Sequence, residues 1–307
     1  MGVAFLFPGQ GSQYVGMGKD LYEKSESARK MFDEANEALG LSLSDLCFNG
    51  PAEELELTVN AQPAIFTASM ACYEAAKAVL GDDFPKASVT AGHSLGEYSA
   101  LTAAGALCFS EAVKLTAARG KAMYEAGLLQ PGSMAAVIAM DDSLLEEFCR
   151  DSGTYIANLN CPGQTVISGP TENIEEACRI ARSRGAKLAR KLKVSGAFHS
   201  PLMAEAQAEF SPLIDASTIQ EADIPVVGNS TARCIVSPED IGSELKTQIC
   251  SSVRWTETVK CMADMGIDTF IEFGPGEVLT GLVRRMLPDA RLVNVEKYED
   301  IFKLAAM

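Results

Sequence analysis

The chain has only two histidines, His93 and His199, and one of them stands beside a serine in Gly92-His93-Ser94-Leu95-Gly96. A serine hydroxyl becomes a competent nucleophile when a base accepts its proton, and imidazole is the usual base. The pentapeptide follows Ser88-Val89-Thr90-Ala91, which reads as a strand end, and leads into Glu97–Ala104, which reads as a helix. A serine on such a turn sits in strained backbone with its hydroxyl lifted clear of the sheet, and a side chain at either flanking glycine would collide with the neighbouring strand or helix. The helix start supplies N–H groups and partial positive charge where an oxyanion would develop. His93 is expected to point its ring away from the adjacent hydroxyl, which leaves His199 as the base, in the turn Ser195-Gly196-Ala197-Phe198-His199. The group that orients His199 is either a carboxylate or a backbone carbonyl.

A third residue is out of place by type. In Glu111–Ala126 the charged Lys114, Lys121 and Glu125 share one helical face, while Arg119 falls among Ala112, Leu115, Ala122, Met123 and Ala126. A desolvated guanidinium needs a partner: an internal carboxylate, escape to solvent along its stem, or a carboxylate brought by a substrate.

These residues need elements to carry them. Val3–Phe7 is a buried-strand run ending in the loop Pro8-Gly9-Gln10-Gly11-Ser12-Gln13, whose free N–H groups belong at the carboxyl edge of a sheet. Helical spacing covers 27–39, 63–80, 95–105 and 110–126. From residue 133 the order becomes strand 133–140, helix 141–151, strand 154–160, the turn Pro162-Gly163, strand 164–168, helix 171–184 and strand 186–194, a βαββαβ run of ferredoxin-like type. The remainder returns to α/β, with strand 225–228, helices 238–249 and 254–265, strand 269–273, helix 277–286 and strand 291–295. Gly274-Pro275-Gly276 lacks the Walker spacing and lysine and reads as structural.

Composition limits the function classes. With 307 residues, 47% of them hydrophobic, the chain can bury a large core, and no apolar run reaches membrane-span length. Nine cysteines without a C-x-x-C pair fit a reduced, cytoplasmic setting and neither a disulfide scaffold nor a thiolate metal site. A net charge of −15 argues against nucleic acid as partner. Against that background Arg179, Arg182, Arg184, Lys187, Arg190, Lys191 and Lys193 form a basic segment, either a docking patch for an anionic partner or a solvated face.

Taken together, Phe7-Pro8-Gly9-Gln10-Gly11-Ser12-Gln13, Gly92-His93-Ser94-Leu95-Gly96-Glu97-Tyr98, Arg119, Asn160 with Pro162-Gly163-Gln164, Gly196-Ala197-Phe198-His199, Gln248 and Phe273-Gly274-Pro275-Gly276 resemble the malonyl-CoA:acyl-carrier-protein transacylases of fatty acid synthesis. The resemblance runs in order over nearly the whole chain. It implies an α/β-hydrolase-like core over 1–127 and 195–307 with a parallel sheet, and an inserted ferredoxin-like subdomain over 128–194. It implies that Ser94 is acylated, that His199 is the base, and that the backbone N–H groups of Gln10 and Leu95 form the oxyanion hole. Arg119 would pair with the malonyl carboxylate, Asn160 and Phe198 would line the substrate site, Phe198 in the malonyl-selecting form, and the Gln248 carbonyl would orient His199. Malonyl-CoA is then a substrate, the phosphopantetheine sits on the acyl carrier protein, and no cofactor or metal is expected. Carrier docking is expected at 179–193, with Arg284 and Arg285 behind it, on a free-standing monomer. One departure is Cys250-Ser251-Ser252-Val253, where the family has an Asn-Pro-Val-like stretch near Gln248. An acyltransferase of a polyketide-type pathway, a serine thioesterase or hydrolase using the same Ser94 and His199, and an interaction protein without catalysis are the competing readings.

Overall fold

The computed structural model describes residues 2–305. Its strands are β1 (Gly2–Phe7), β2 (Val89–Gly92), β3 (Gly132–Ile138), β4 (Tyr155–Cys161), β5 (Gln164–Pro170), β6 (Leu188–Lys191), β7 (Val226–Val227), β8 (Cys234–Ile235), β9 (Ile267–Phe273) and β10 (Arg291–Val295). They form two sheets, one ordered β10-β9-β1-β2-β7-β8 and one ordered β4-β5-β3-β6. The first is parallel from β10 to β7 and closes on the antiparallel β8, a short edge strand the sequence pattern does not suggest. The second is antiparallel throughout.

The apolar run of β1 is explained by burial on both sides. Phe5 and Phe7 face the larger core, where they meet Tyr73, Phe84 and Phe273, with Phe5 edge-on to Phe273 at 5.1 Å and 87°. Ala4 and Leu6 face the opposite side with Val89, Ala91, Trp255 and Phe270. A third cluster, including Val137, Phe148, Ile167 and Ile174, lies under the antiparallel sheet. Each sheet therefore has its own core.

Helices sit at 26–39, 58–80, 96–103 and 109–129. The helix Thr58–Leu80 starts before Pro63, because a proline early in a helix forfeits one hydrogen bond without stopping the turns that precede it. A further helix, Ala204–Ala216, has no counterpart in the sequence reading. Pro212 and a weak apolar stripe mask it, and packing of Ala206, Phe210 and Ile214 holds it in place. The ends of the inserted run are also shorter than the pattern suggests: its last helix stops at Ala181 and β6 covers only Leu188–Lys191.

Candidate active site

Ser94 lies between β2 and the helix Gly96–Ala103 with φ of 52°, a left-handed conformation rare for a residue with a side chain. The turn is tight enough to demand its glycines. A Cβ on Gly92 would lie 1.9 Å from the Gly96 carbonyl, and one on Gly96 would lie 2.0 Å from the Phe7 carbonyl oxygen. The strain lifts the hydroxyl into a cavity of about 340 Å³, lined by the Gly9–Ser12 loop, the elbow, Arg119, the inner face of the antiparallel sheet, Phe198 and His199.

His199 also has positive φ, at 56°, and its turn brings Nε2 to 2.7 Å from Ser94 Oγ. Its Nδ1 lies 3.0 Å from the carbonyl oxygens of both Gln248 and Ser251. Carbonyls only accept, so Nδ1 carries the proton and Nε2 presents its lone pair to the serine. Burial, then the positive charge of Arg119, pushes the imidazole pKa down from 6.5 to about 3. The ring is thus neutral and ready to accept a proton. The departure at 250–253 leaves this contact intact. Val253 N–H donates to the Ala157 carbonyl and Leu159 N–H to the Val253 carbonyl, pinning the stretch to β4, and Ser251 adds a second acceptor for His199.

His93 points elsewhere. Its Nε2 lies 2.9 Å from Asn160 Oδ1, and its ring packs on Trp255 at 5.5 Å. The Asn160 carbonyl oxygen is therefore turned toward His93, although the residue borders the cavity. Phe198 borders it too, 5% exposed. Among the described residues, the backbone N–H groups of Gln10 and Leu95 have no protein acceptor, while the Gln10 side chain donates to Thr58 Oγ1 at 3.0 Å. Two free donors on either side of Ser94 are what a tetrahedral oxyanion requires.

Arg119 is 1% exposed, so it does not reach solvent, and among the described residues no carboxylate forms an ion pair with it. Its Nη1 donates to Gln62 Oε1 at 2.7 Å, and its Nη2 to Gln248 Oε1 at 2.7 Å and to Ser94 Oγ at 3.2 Å. Among the described residues its Nε has no hydrogen-bond partner, and the guanidinium carbon lies 5.8 Å from the Tyr98 ring centroid. The alternatives of an internal ion pair and a snorkelling side chain are both overturned by this arrangement.

Three residues in the site carry no assignment from sequence reasoning. Gln62 holds Arg119; Asn229 Oδ1 accepts from Ser94 N–H at 2.6 Å while its Nδ2 donates to the Gly92 carbonyl at 2.7 Å. Glu97, fully buried, accepts from Asn229 N–H at 3.0 Å and from Gln248 Nε2. Glu97 had a visible signal, an acid inside the apolar stretch that follows the elbow. Gln62 and Asn229 had none, because amides carry no charge and occupy no periodic position.

A serine and a neutral imidazole in contact beside unspent N–H donors perform covalent acyl transfer. Residues 4–299 match the family model described as acyl transferase domain, and the chain belongs to that family of acyltransferases. Among its relatives, the malonyl CoA-acyl carrier protein transacylase of Bacillus subtilis strain 168 is 47% identical over 305 residues, spanning 97% of this chain and 95% of that protein. The crystal structure of the acyl-carrier-protein-S-malonyltransferase from Bartonella henselae superposes with a TM-score of 0.95 at 41% identity, over 100% of this chain and 99% of that one. A malonyl-transacylase in complex with its type II PKS acyl-carrier protein superposes with a TM-score of 0.93 at 36% identity, over 99% of each chain.

Proposed function

We propose that the protein transfers the malonyl group from malonyl-CoA to the phosphopantetheine thiol of acyl carrier protein, supplying fatty acid elongation. The observation that carries this reading is Arg119, a buried guanidinium without a carboxylate that opens on the nucleophile's cavity. Ser94 Oγ attacks the thioester carbonyl as its proton passes to His199 Nε2. The oxyanion is held by the N–H groups of Gln10 and Leu95, and collapse expels the CoA thiolate, which takes the proton back from the imidazolium. The carrier thiol then attacks the malonyl-serine ester by the same steps in reverse, restoring the hydroxyl. The Gln248 carbonyl keeps His199 in the required tautomer, and Phe198 and Asn160 shape the acyl pocket. No cofactor or metal enters these steps.

The fold reading is an α/β-hydrolase-like core over 1–127 and 195–307 with a ferredoxin-like subdomain over 128–194. It draws on the βαββαβ order and on the strand order β4-β5-β3-β6, all antiparallel. Carrier docking is assigned to the 179–193 segment together with Arg284 and Arg285. Part of its charge is engaged, since Arg179 pairs with Glu176, Arg184 with Asp151 and Lys191 with Glu175. Arg285 donates to Gln164, which borders the cavity, and its helix, Val278–Met286, lines the cavity through Leu279 and Leu282. A cytoplasmic monomer fits the acidic, cysteine-bearing composition, and among the described residues no helix is long and apolar enough to cross a membrane.

The test is intact mass after mixing with malonyl-CoA or acetyl-CoA before any acceptor is added. A stable malonyl adduct, weak with acetyl-CoA and absent in Ser94→Ala, is expected. Steady CoA release without an adduct would make the protein a hydrolase instead. In Arg119→Ala, malonyl transfer should fall by two orders of magnitude or more relative to acetyl transfer, since an unpaired buried polar group discriminates by about 10⁴-fold.

A further inference from the structure

Arg119 is held by two amide oxygens, Gln62 Oε1 and Gln248 Oε1, each at 2.7 Å. A site that needed only to bury this charge would set a carboxylate against it, because the bidentate ion pair is the stronger contact. An acid is within one side chain. Glu97 accepts from Gln248 Nε2, so the Gln248 amide stands between the guanidinium and the carboxyl group, oxygen toward the arginine and nitrogen toward the acid. The two groups act on each other across this spacer without touching: Arg119 opposes the upward push that burial and Glu244 give the Glu97 carboxyl, and Glu97, after Tyr98, opposes the downward push of burial on Arg119. The same restraint governs the base, whose Nδ1 donates to two neutral carbonyls rather than to a carboxylate. Among the described residues, every acceptor that touches Arg119 or His199 is uncharged.

We infer that the Gln62 and Gln248 side chains are specificity-determining spacers. They fix the guanidinium in place and keep Glu97 from pairing with it directly, so that the only carboxylate able to reach Arg119 is one delivered by the acyl donor. The inference rests on the malonyl reading above. A carboxylate at position 62 or 248 would be a permanent occupant that competes with the donor's own, whereas a donor without a carboxylate has nothing to compete for.

The experiment compares acyl-enzyme formation from malonyl-CoA and acetyl-CoA in three proteins: wild type, Gln62→Glu, and the double variant Glu97→Gln with Gln248→Glu. The double variant exchanges an acid and an amide across one hydrogen bond, leaving net charge and the bond itself in place. Expected in both variants is a fall of about tenfold or more in the malonyl-to-acetyl ratio of kcat/KM, carried by a higher KM for malonyl-CoA. Gln62→Glu leaves Glu97, Gln248 and His199 untouched, so it decides the matter if the double variant does not fold. A ratio within about twofold of wild type in a folded variant, equal loss of both activities, or failure of both variants to fold would each overturn the spacer role. A wild-type protein that forms no malonyl adduct would instead defeat the malonyl reading itself.

Discussion

At the scale of single residues, the imidazole proposed as the base is neutral by construction. The kcat/KM for malonyl-CoA reports the free enzyme, so its pH profile should stay flat from pH 8 down to about 5, with no limb near the ordinary imidazole value. A limb near 6.5 would show that His199 is not depressed as its surroundings imply. The same depression is a stability statement. The unfolded chain takes up a proton near 6.5 while the folded one does not until about 3, so acidification through that window favours unfolding. At pH 5 this amounts to about 2 kcal/mol. In urea titrations His199→Gln should therefore lose about 2 kcal/mol less stability than wild type between pH 7 and 5. The three residues that meet in the cavity were legible in the sequence, because Ser94 announces itself by its glycines, His199 by elimination and Arg119 by its apolar neighbours. The amides around them were not, since Gln62 and Asn229 acquire meaning only when the fold brings them to Arg119 and to the Ser94 N–H.

At the scale of elements, two packing contacts set the shape of the cavity. The helix Gly96–Ala103 touches β1 so closely that Gly96→Ala would drive a methyl into the Phe7 carbonyl, with an expected loss of more than about 3 kcal/mol and of the Ser94 geometry. A folded Gly96→Ala protein with full acylation would show that the backbone yields there at little expense. The other contact caps the helix Val278–Met286, whose Leu279 and Leu282 line the cavity. Glu272, buried on β9, accepts from Leu279 N–H at 3.0 Å, Thr280 N–H at 2.8 Å and Thr280 Oγ1 at 2.9 Å. Glu272→Ala strips these buried donors of their acceptor and should cost about 3 kcal/mol in thermal or urea unfolding. Strands with strong apolar patterns, β1 and β9, were readable from sequence, as was the βαββαβ run with its Pro162-Gly163 turn. The helix Ala204–Ala216 and the edge strand β8 were not, because tertiary packing outweighs the proline in the one and two residues carry no period in the other.

At the scale of the whole molecule, a chain with a net charge of −15 would receive an anionic partner where its cations gather. Arg190 and Lys193 are exposed, and no ion pair engages them among the described residues. Reversing both to Glu should raise the KM for carrier protein by about an order of magnitude, more at low salt than at high, while acylation by malonyl-CoA is unchanged. An unchanged KM would remove the segment from the docking surface.

The position of β1 bears on how such a protein is made. Its two neighbours come from widely separated parts of the chain: Ala4 pairs with Val89, and on the other side Val3 pairs with Thr269. During synthesis the central strand therefore exposes one edge until β9, which begins at Ile267, has emerged. The antiparallel sheet is different, since all four of its strands fall between Gly132 and Lys191 and can pair as soon as that stretch is out. The antiparallel sheet can thus settle during translation while the parallel one waits, and a chaperone that shields bare strand edges would be needed by the parallel sheet alone.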